Sequence, residues 1–163
     1  MPTLQLKPSP IEVVSQEIIG IHLDSTYSKE DPSQFGQSRL SVDRDVHAVQ
    51  GQEGCWVLQL TIHIDSTESG APPAYTGRIE LLGYYQVHKD YKQDPDRLIR
   101  ITGASMLYGV AREMLCQITA RSANGMITLP SVSFFEETPE NNRVTKKTAK
   151  KKQSAKKSSS KKA

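Results

Sequence analysis

Between Cys55 and Asp65 the chain alternates without a slip. Trp56, Leu58, Leu60, Ile62 and Ile64 fall on one side, and Cys55, Val57, Gln59, Thr61, His63 and Asp65 on the other. A period of two over this length is a β-strand with one face on a core and one wetter face. That pattern belongs to an antiparallel sheet, because strands of parallel sheets are buried on both faces and read as continuous apolar runs. The neighbouring segments supply the other strands. Ser38 to Asp45 reads as a shorter strand with Leu40 and Val42 inward, and Val46 to Gly54 is a polar connection with two glycines, so the two runs make a hairpin. Ser66 to Pro73 is rich in turn residues, and the strand after it carries Tyr75, Ile79, Leu81, Tyr85 and Val87 on odd positions. Upstream, Ile11 to Leu23 is rich in β-branched residues and gives a fourth strand, with a bulge expected around Ser15 to Glu17, where the alternation breaks.

The period changes after Asp94-Pro95-Asp96, a helix-starting cluster with Pro placed for the first turn. Leu107, Ala111, Leu115 and Ile118 form an apolar stripe, with Met106, Val110 and Met114 beside it, so a long helix lies on the sheet. Gly103 and Gly109 mark places where it bends or packs closely. Asn124-Gly125 reads as its stop, and Met126 to Phe135 as an extended apolar segment interrupted by Pro130. The expected class is α+β: a four-stranded antiparallel sheet packed with one long helix, followed by a disordered basic C-terminal tail.

Charge divides the chain in the same way. Of its 21 Lys and Arg residues, ten lie in residues 143–163, a segment with no acid. The remaining 11 bases meet all 18 acids, which leaves residues 1–142 at −7 and the tail at +10 behind an overall +3. The tail is built from Lys, Ser, Ala and Thr with almost nothing to form a core, and disorder is expected. The boundaries read as a flexible N-terminus over 1–7, one domain over 8–138 and the lysine tail over 139–163. Lys146, Lys147, Lys150, Lys151 and Lys152 are candidate contacts to a polyanion such as nucleic acid, through counterion release rather than base reading, since no aromatic is interleaved with them. A solubilising tail, or one that screens the acidic body, is the competing reading. No apolar run approaches the roughly 20 residues that span a bilayer. The N-terminus shows no signal-peptide pattern, and a soluble, cytoplasmic protein is expected.

Reactive chemistry is not signalled. Cys55 and Cys116 have no CxxC pattern or nearby paired histidine, so free thiols are expected rather than a disulfide or zinc site. The sequence has no GxSxG, HExxH, phosphate loop or GxGxxG, and neither an enzyme activity, a metal nor a cofactor is expected. His22, His47, His63 and His88 are scattered singly and read as surface or hydrogen-bonded residues. Phe35, Trp56, Tyr75, Tyr84, Tyr85, Tyr108, Phe134 and Phe135 flank the strands and the helix instead of forming one stripe. They are either core or the lining of a groove able to take varied apolar segments.

The order of elements, with Gly83-Tyr84-Tyr85, Leu107-Tyr108-Gly109-Val110-Ala111-Arg112-Glu113 and Ile127-Thr128-Leu129-Pro130-Ser131-Val132-Ser133-Phe134, resembles the SecB-type protein-export chaperones over about residues 8 to 136. The corresponding family patterns are a Gly-apolar-Phe strand, a Leu-Phe-Pro-Tyr-Ala-Arg-Glu helix and a Leu-Asn-Leu-Ala-Pro-Val-Asn-Phe segment. The resemblance implies a homotetramer, a dimer of dimers, that holds unfolded client polypeptides in apolar surface grooves without ATP. By position it implies groove roles for Tyr75, Phe134 and Phe35, with Trp56, Ile79, Met106 and Tyr108 as further peptide-binding candidates. Thr76 and Arg78 stand where the family carries an exposed Leu and Glu that contact the motor ATPase SecA, which weighs against SecA docking. The family's second apolar helix is replaced by Glu136-Glu137-Thr138-Pro139 and the tail. Diverged members also serve toxin–antitoxin systems by holding the antitoxin, and that dedicated role stands beside export as an implication.

Overall fold

A computed structural model describes residues 8–26, 35–67 and 71–135. The N-terminal seven residues and the lysine tail, with Lys146, Lys147, Lys150, Lys151 and Lys152, lie outside the described residues. Four strands, β1 (Ile11–Ser25), β2 (Ser38–Ala48), β3 (Cys55–Ser66) and β4 (Tyr75–Val87), form one antiparallel sheet in the order β1-β4-β3-β2. After it come α1 (Pro95–Leu98), a π-helical stretch Ile99–Gly103 and α2 (Ala104–Thr119), which run on in helical backbone as one long helix. This is the expected α+β architecture.

The register shows why the alternation is so strict in β3. Leu58, Leu60, Ile62 and Ile64 face Val46, Arg44, Val42 and Leu40 on one side and Gly83, Leu81, Ile79 and Gly77 on the other, and all four are fully buried under the helix. Burying such apolar surface is worth about 25 cal/mol per Å², so this central row contributes a large share of the core together with Ile79, Leu81, Ile99, Leu107 and Leu115. β2 runs three residues beyond the expected Asp45, because Val46 faces inward opposite Leu58 and is itself buried. In β1 the register slips twice, between Val13 and Ser15 and between Ile18 and Gly20, so the expected single break is two bulges on either side of it. At Gly77 the backbone takes φ +147°, and a Cβ there would sit 2.1 Å from the His22 carbonyl oxygen, so β1 and β4 close up only because this residue is glycine.

Asp94 caps the helix, its carboxylate accepting from the N–H groups of Asp96 (3.0 Å) and Arg97 (3.4 Å), with Pro95 in the first turn. The π stretch ends at Gly103, where an added Cβ would lie 3.4 Å from the ring of Tyr85, and the Tyr85 hydroxyl donates to the Gly103 carbonyl at 2.9 Å. Glycine thus serves close packing of helix on sheet here, whereas Gly109 is exposed with open space around it. Leu107, Ala111 and Leu115 are fully buried as the stripe requires, but the next buried position is Thr119 and Ile118 is exposed. The spacing 107, 111, 115, 119 keeps one face on the sheet, and Ile118 falls beside it. The helix also stops before Asn124-Gly125, since the Thr119 hydroxyl turns back to the Leu115 carbonyl (2.7 Å) and accepts from the Ile127 N–H (2.9 Å).

Candidate peptide-binding site

After the helix, residues 126–135 carry neither helix nor strand and rest on the body. Leu129 is fully buried, and Ile127 and Phe134 pack half-buried against the same core. Met126, Val132 and Phe135 remain exposed. The turn before this strap is tied to the sheet by Asn124, whose amide donates to Ser25 Oγ (2.9 Å) and to the carbonyls of Thr26 (2.7 Å) and Ala74 (3.0 Å). Asn124 therefore fixes where the strap starts; it does not end the helix.

Besides Thr119, which accepts from the Ile127 N–H, four side chains of the body donate to carbonyls of this turn and strap. The Tyr75 hydroxyl donates to the Gly125 carbonyl. The Cys116 thiol donates to Ile127 O at 3.4 Å, and the Tyr108 hydroxyl to Pro130 O at 2.9 Å. Arg44 Nη1 reaches both Phe134 O at 3.1 Å and Arg100 O in the π stretch at 2.8 Å. The Arg44 guanidinium also lies 5.9 Å from the centroid of the Phe134 ring, and Phe134 meets Tyr108 edge-on with centroids 5.8 Å apart at 71°. Burial pushes the Tyr108 phenol above its ordinary pKa, with the Arg112 charge opposing, and burial does the same to Tyr85 against a hydrogen bond from Gln16. Both phenols thus remain O–H donors through neutral pH.

The structure brings together three of the seven residues singled out in the sequence: Tyr75, Tyr108 and Phe134 lie along one strap, with Tyr75 and Tyr108 buried and their hydroxyls satisfied within the chain. Ile79 is fully buried in the middle of the sheet. Met106 is half-buried against the core on the flank of α2. Phe35, half-buried, precedes the Gly36–Pro73 bridge at the Tyr75 end of the sheet. Trp56 pairs with Ala48 and Tyr85 at the other end, ten β4 residues or about 33 Å from Tyr75. The sequence presents Cys116 only as a free thiol, Asn124 only as a helix stop and Leu129 only as part of an apolar segment, and gives Arg44 no role, yet all four help to hold the strap. Arg44 had a readable signal: it sits at an inward position between Val42 and Val46, where a charge needs partners.

The outer face of the sheet carries charge. His22, Arg78 and His63 are cross-strand neighbours, and His22–Asp24 (3.2 Å), His63–Asp43 (3.2 Å), His47–Asp45 (2.9 Å) and Arg78–Glu80 (2.9 Å) are paired. Among the described residues no group of side chains could hold a metal ion, and no helix is long and apolar enough to cross a membrane.

No family model matches the chain, and no curated protein does. Among solved structures it is similar to the SecB-like chaperone Rv1957 of Mycobacterium tuberculosis, determined in complex with a ChAD peptide from the Rv1956 HigA1 antitoxin. The TM-score is 0.58 at 18% identity, over 76% of this chain and 91% of that one. A protein of unknown function from Streptococcus agalactiae aligns over 74% of this chain and 97% of that one, with a TM-score of 0.42 and 9% identity. The chain carries the fold of the SecB-like chaperones.

Proposed function

We propose that this protein is an ATP-independent holdase that binds unfolded polypeptides by apolar contact. The observation that carries the reading is the shared fold with a SecB-like chaperone whose structure holds an antitoxin peptide. The surface supports it. Val14, Ile19, Ile118, Met126 and Phe135 are exposed apolar side chains that the described residues leave uncovered. Tyr75, Tyr108, Phe134, Phe35, Met106, Trp56 and Ile79 form or underlie the client-binding surface in this reading, with the buried members shaping it from below. Client suppression of aggregation tests the function. A chemically denatured client diluted into buffer stays in solution with the full chain present and precipitates without it; precipitation in the presence of a folded oligomer of the chain refutes the proposal.

The working unit we propose is a homotetramer, a dimer of dimers in the cytoplasm. β1 is a 15-residue edge strand with Val13, Val14, Ile19 and Ile21 exposed, a surface that invites pairing with a second copy. For the client, a dedicated partner such as an antitoxin is favoured over general export, because Arg78 sits paired to Glu80 on the outer face, where a basic residue does not make the acidic contact expected for SecA. Retrieval of SecA from cell extract as the main bound partner would reverse this preference. A second activity is proposed for the tail, whose ten bases in residues 143–163 suit a polyanion. Nucleic-acid binding that falls steeply with salt and disappears on truncation after residue 138 supports it, and binding unchanged by truncation refutes it.

A further inference from the structure

The strap is held by its main chain. Gly125, Ile127, Pro130 and Phe134 each offer a carbonyl oxygen to a body side chain, from Tyr75, Cys116, Tyr108 and Arg44 respectively, and the Ile127 N–H is taken by Thr119. None of these contacts requires a particular side chain on the strap. Its residues enter the body by apolar contact, with Leu129 fully buried and Ile127 and Phe134 partly so, while Pro130, Ser131, Val132 and Ser133 are exposed and Thr128, also exposed, lies beside Cys116. Main-chain hydrogen bonds that give affinity, together with a few sockets spaced for apolar side chains, are how extended peptides are recognised without strict sequence. An ordinary β-strand would instead complete its hydrogen bonds with a neighbouring strand, and residues 126–135 belong to no strand.

We propose that this track is a binding site for extended apolar polypeptide segments, occupied here by residues 125–135 of the chain itself, so that a client binds by displacing the strap. The inference rests on the holdase reading and adds to it a location and a threshold. Because strap and track are covalently joined, the strap competes at an effective concentration in the millimolar range. A single segment no longer than the strap displaces it only at a comparable, roughly millimolar concentration, whereas a long unfolded one, able to fill the sockets and neighbouring exposed apolar surface together, wins the competition at far lower concentration. The apparent affinity for any peptide is the intrinsic affinity scaled by the fraction of chains with the strap released.

Cys116 provides the test. Its Sγ lies 3.7 Å from Thr128 Oγ1, so Thr128→Cys in the full chain, combined with Cys55→Ser to leave one pairing, places two thiols where a disulfide can lock the strap down. The probe is a fluorescent synthetic peptide with the sequence of residues 125–135, followed by anisotropy while the protein is titrated to about the millimolar effective concentration of the strap, with the cross-link verified by mass. The expected result is binding to the reduced protein and at least tenfold weaker binding to the oxidised one, restored by reductant. Leu129→Ala in the full chain, which weakens the strap but not the added peptide, binds the same peptide several-fold more tightly than wild type. Equal binding by locked and reduced protein overturns the proposal, as does unchanged affinity in Leu129→Ala or failure of the reduced protein to bind. Client aggregation separates the two readings. If the locked chain suppresses it as well as the reduced one, the track fails and the holdase stands; if no form suppresses it but the disulfide still gates the peptide, the holdase fails and the track stands.

Discussion

Leu115 and Leu129 are both fully buried leucines in one core, one on the helix and one on the strap, and truncating each to Ala asks whether the strap is a separable part of the fold. By burial alone the two changes remove the same atoms from the same environment, and each should cost about 2–5 kcal/mol in lost transfer energy and residual cavity. Attachment makes them differ. α2 cannot leave the sheet without exposing Leu58, Leu60, Ile62 and Ile64, so Leu115→Ala draws its full cost from global stability. The strap can leave alone. Once truncation of Leu129 exceeds the free energy holding the strap, the strap releases, the rest of the body unfolds as before, and the loss stops growing. Leu129→Ala should therefore cost less than Leu115→Ala.

Urea unfolding followed by far-ultraviolet circular dichroism and by the single tryptophan, Trp56, measures both. In thermal melts each kcal/mol corresponds to roughly 3–5 °C for a body of this size. The Leu115 variant should lower the midpoint by at least about 6 °C, and the Leu129 variant by clearly less, with faster amide exchange confined to residues after 125. Equal losses in the two variants, with a single sharp transition and no local increase in exchange, would refute the reasoning by showing that strap and body unfold as one unit.

Other consequences follow from single contacts. Gly77→Ala forces a Cβ to within 2.1 Å of the His22 carbonyl and should cost about 2 kcal/mol or more, seen as a lowered urea midpoint and as exchange of β1 amides. Raised folded-state pKa values at Tyr85 and Tyr108 mean that the unfolded chain loses these protons first, so stability is full below the ordinary tyrosine value of 10.0 and falls as pH climbs above it; Tyr85→Phe and Tyr108→Phe should each flatten that alkaline limb. Ile19→Lys on the exposed edge strand should leave the subunit folded by circular dichroism while light scattering reports a smaller particle than wild type, and an unchanged mass removes β1 from the proposed assembly.

The parts of this fold that are legible in the sequence are those whose cause is local. The alternation of Leu58 to Ile64 names a strand because each residue's direction depends only on its neighbours, and Asp94-Pro95 names a helix start because cap and first turn lie within four residues. The end of the helix is less legible, since it depends on Thr119 bonding a residue eight positions later. Contacts across the strap are the least so: Tyr75 meets Gly125 fifty positions away, and Arg44 meets Phe134 ninety positions away. Position in the family resemblance implies groove roles for Tyr75 and Phe134, with Tyr108 as a further candidate, but it does not carry the main-chain contacts that join them along one segment. Where the resembling family pattern reads Leu-Phe-Pro-Tyr, this chain has Leu107-Tyr108-Gly109-Val110, and the oxygen that distinguishes Tyr108 from Phe is the atom that reaches Pro130. A phenylalanine would pack against Phe134 equally well and leave the strap one anchor short. The hydroxyl thus shifts the balance between closed strap and open track, and Tyr108→Phe should leave the edge-to-face contact intact while raising the population of chains ready to take a client. An unaltered peptide affinity in that variant would mean that the Pro130 contact contributes nothing to closure.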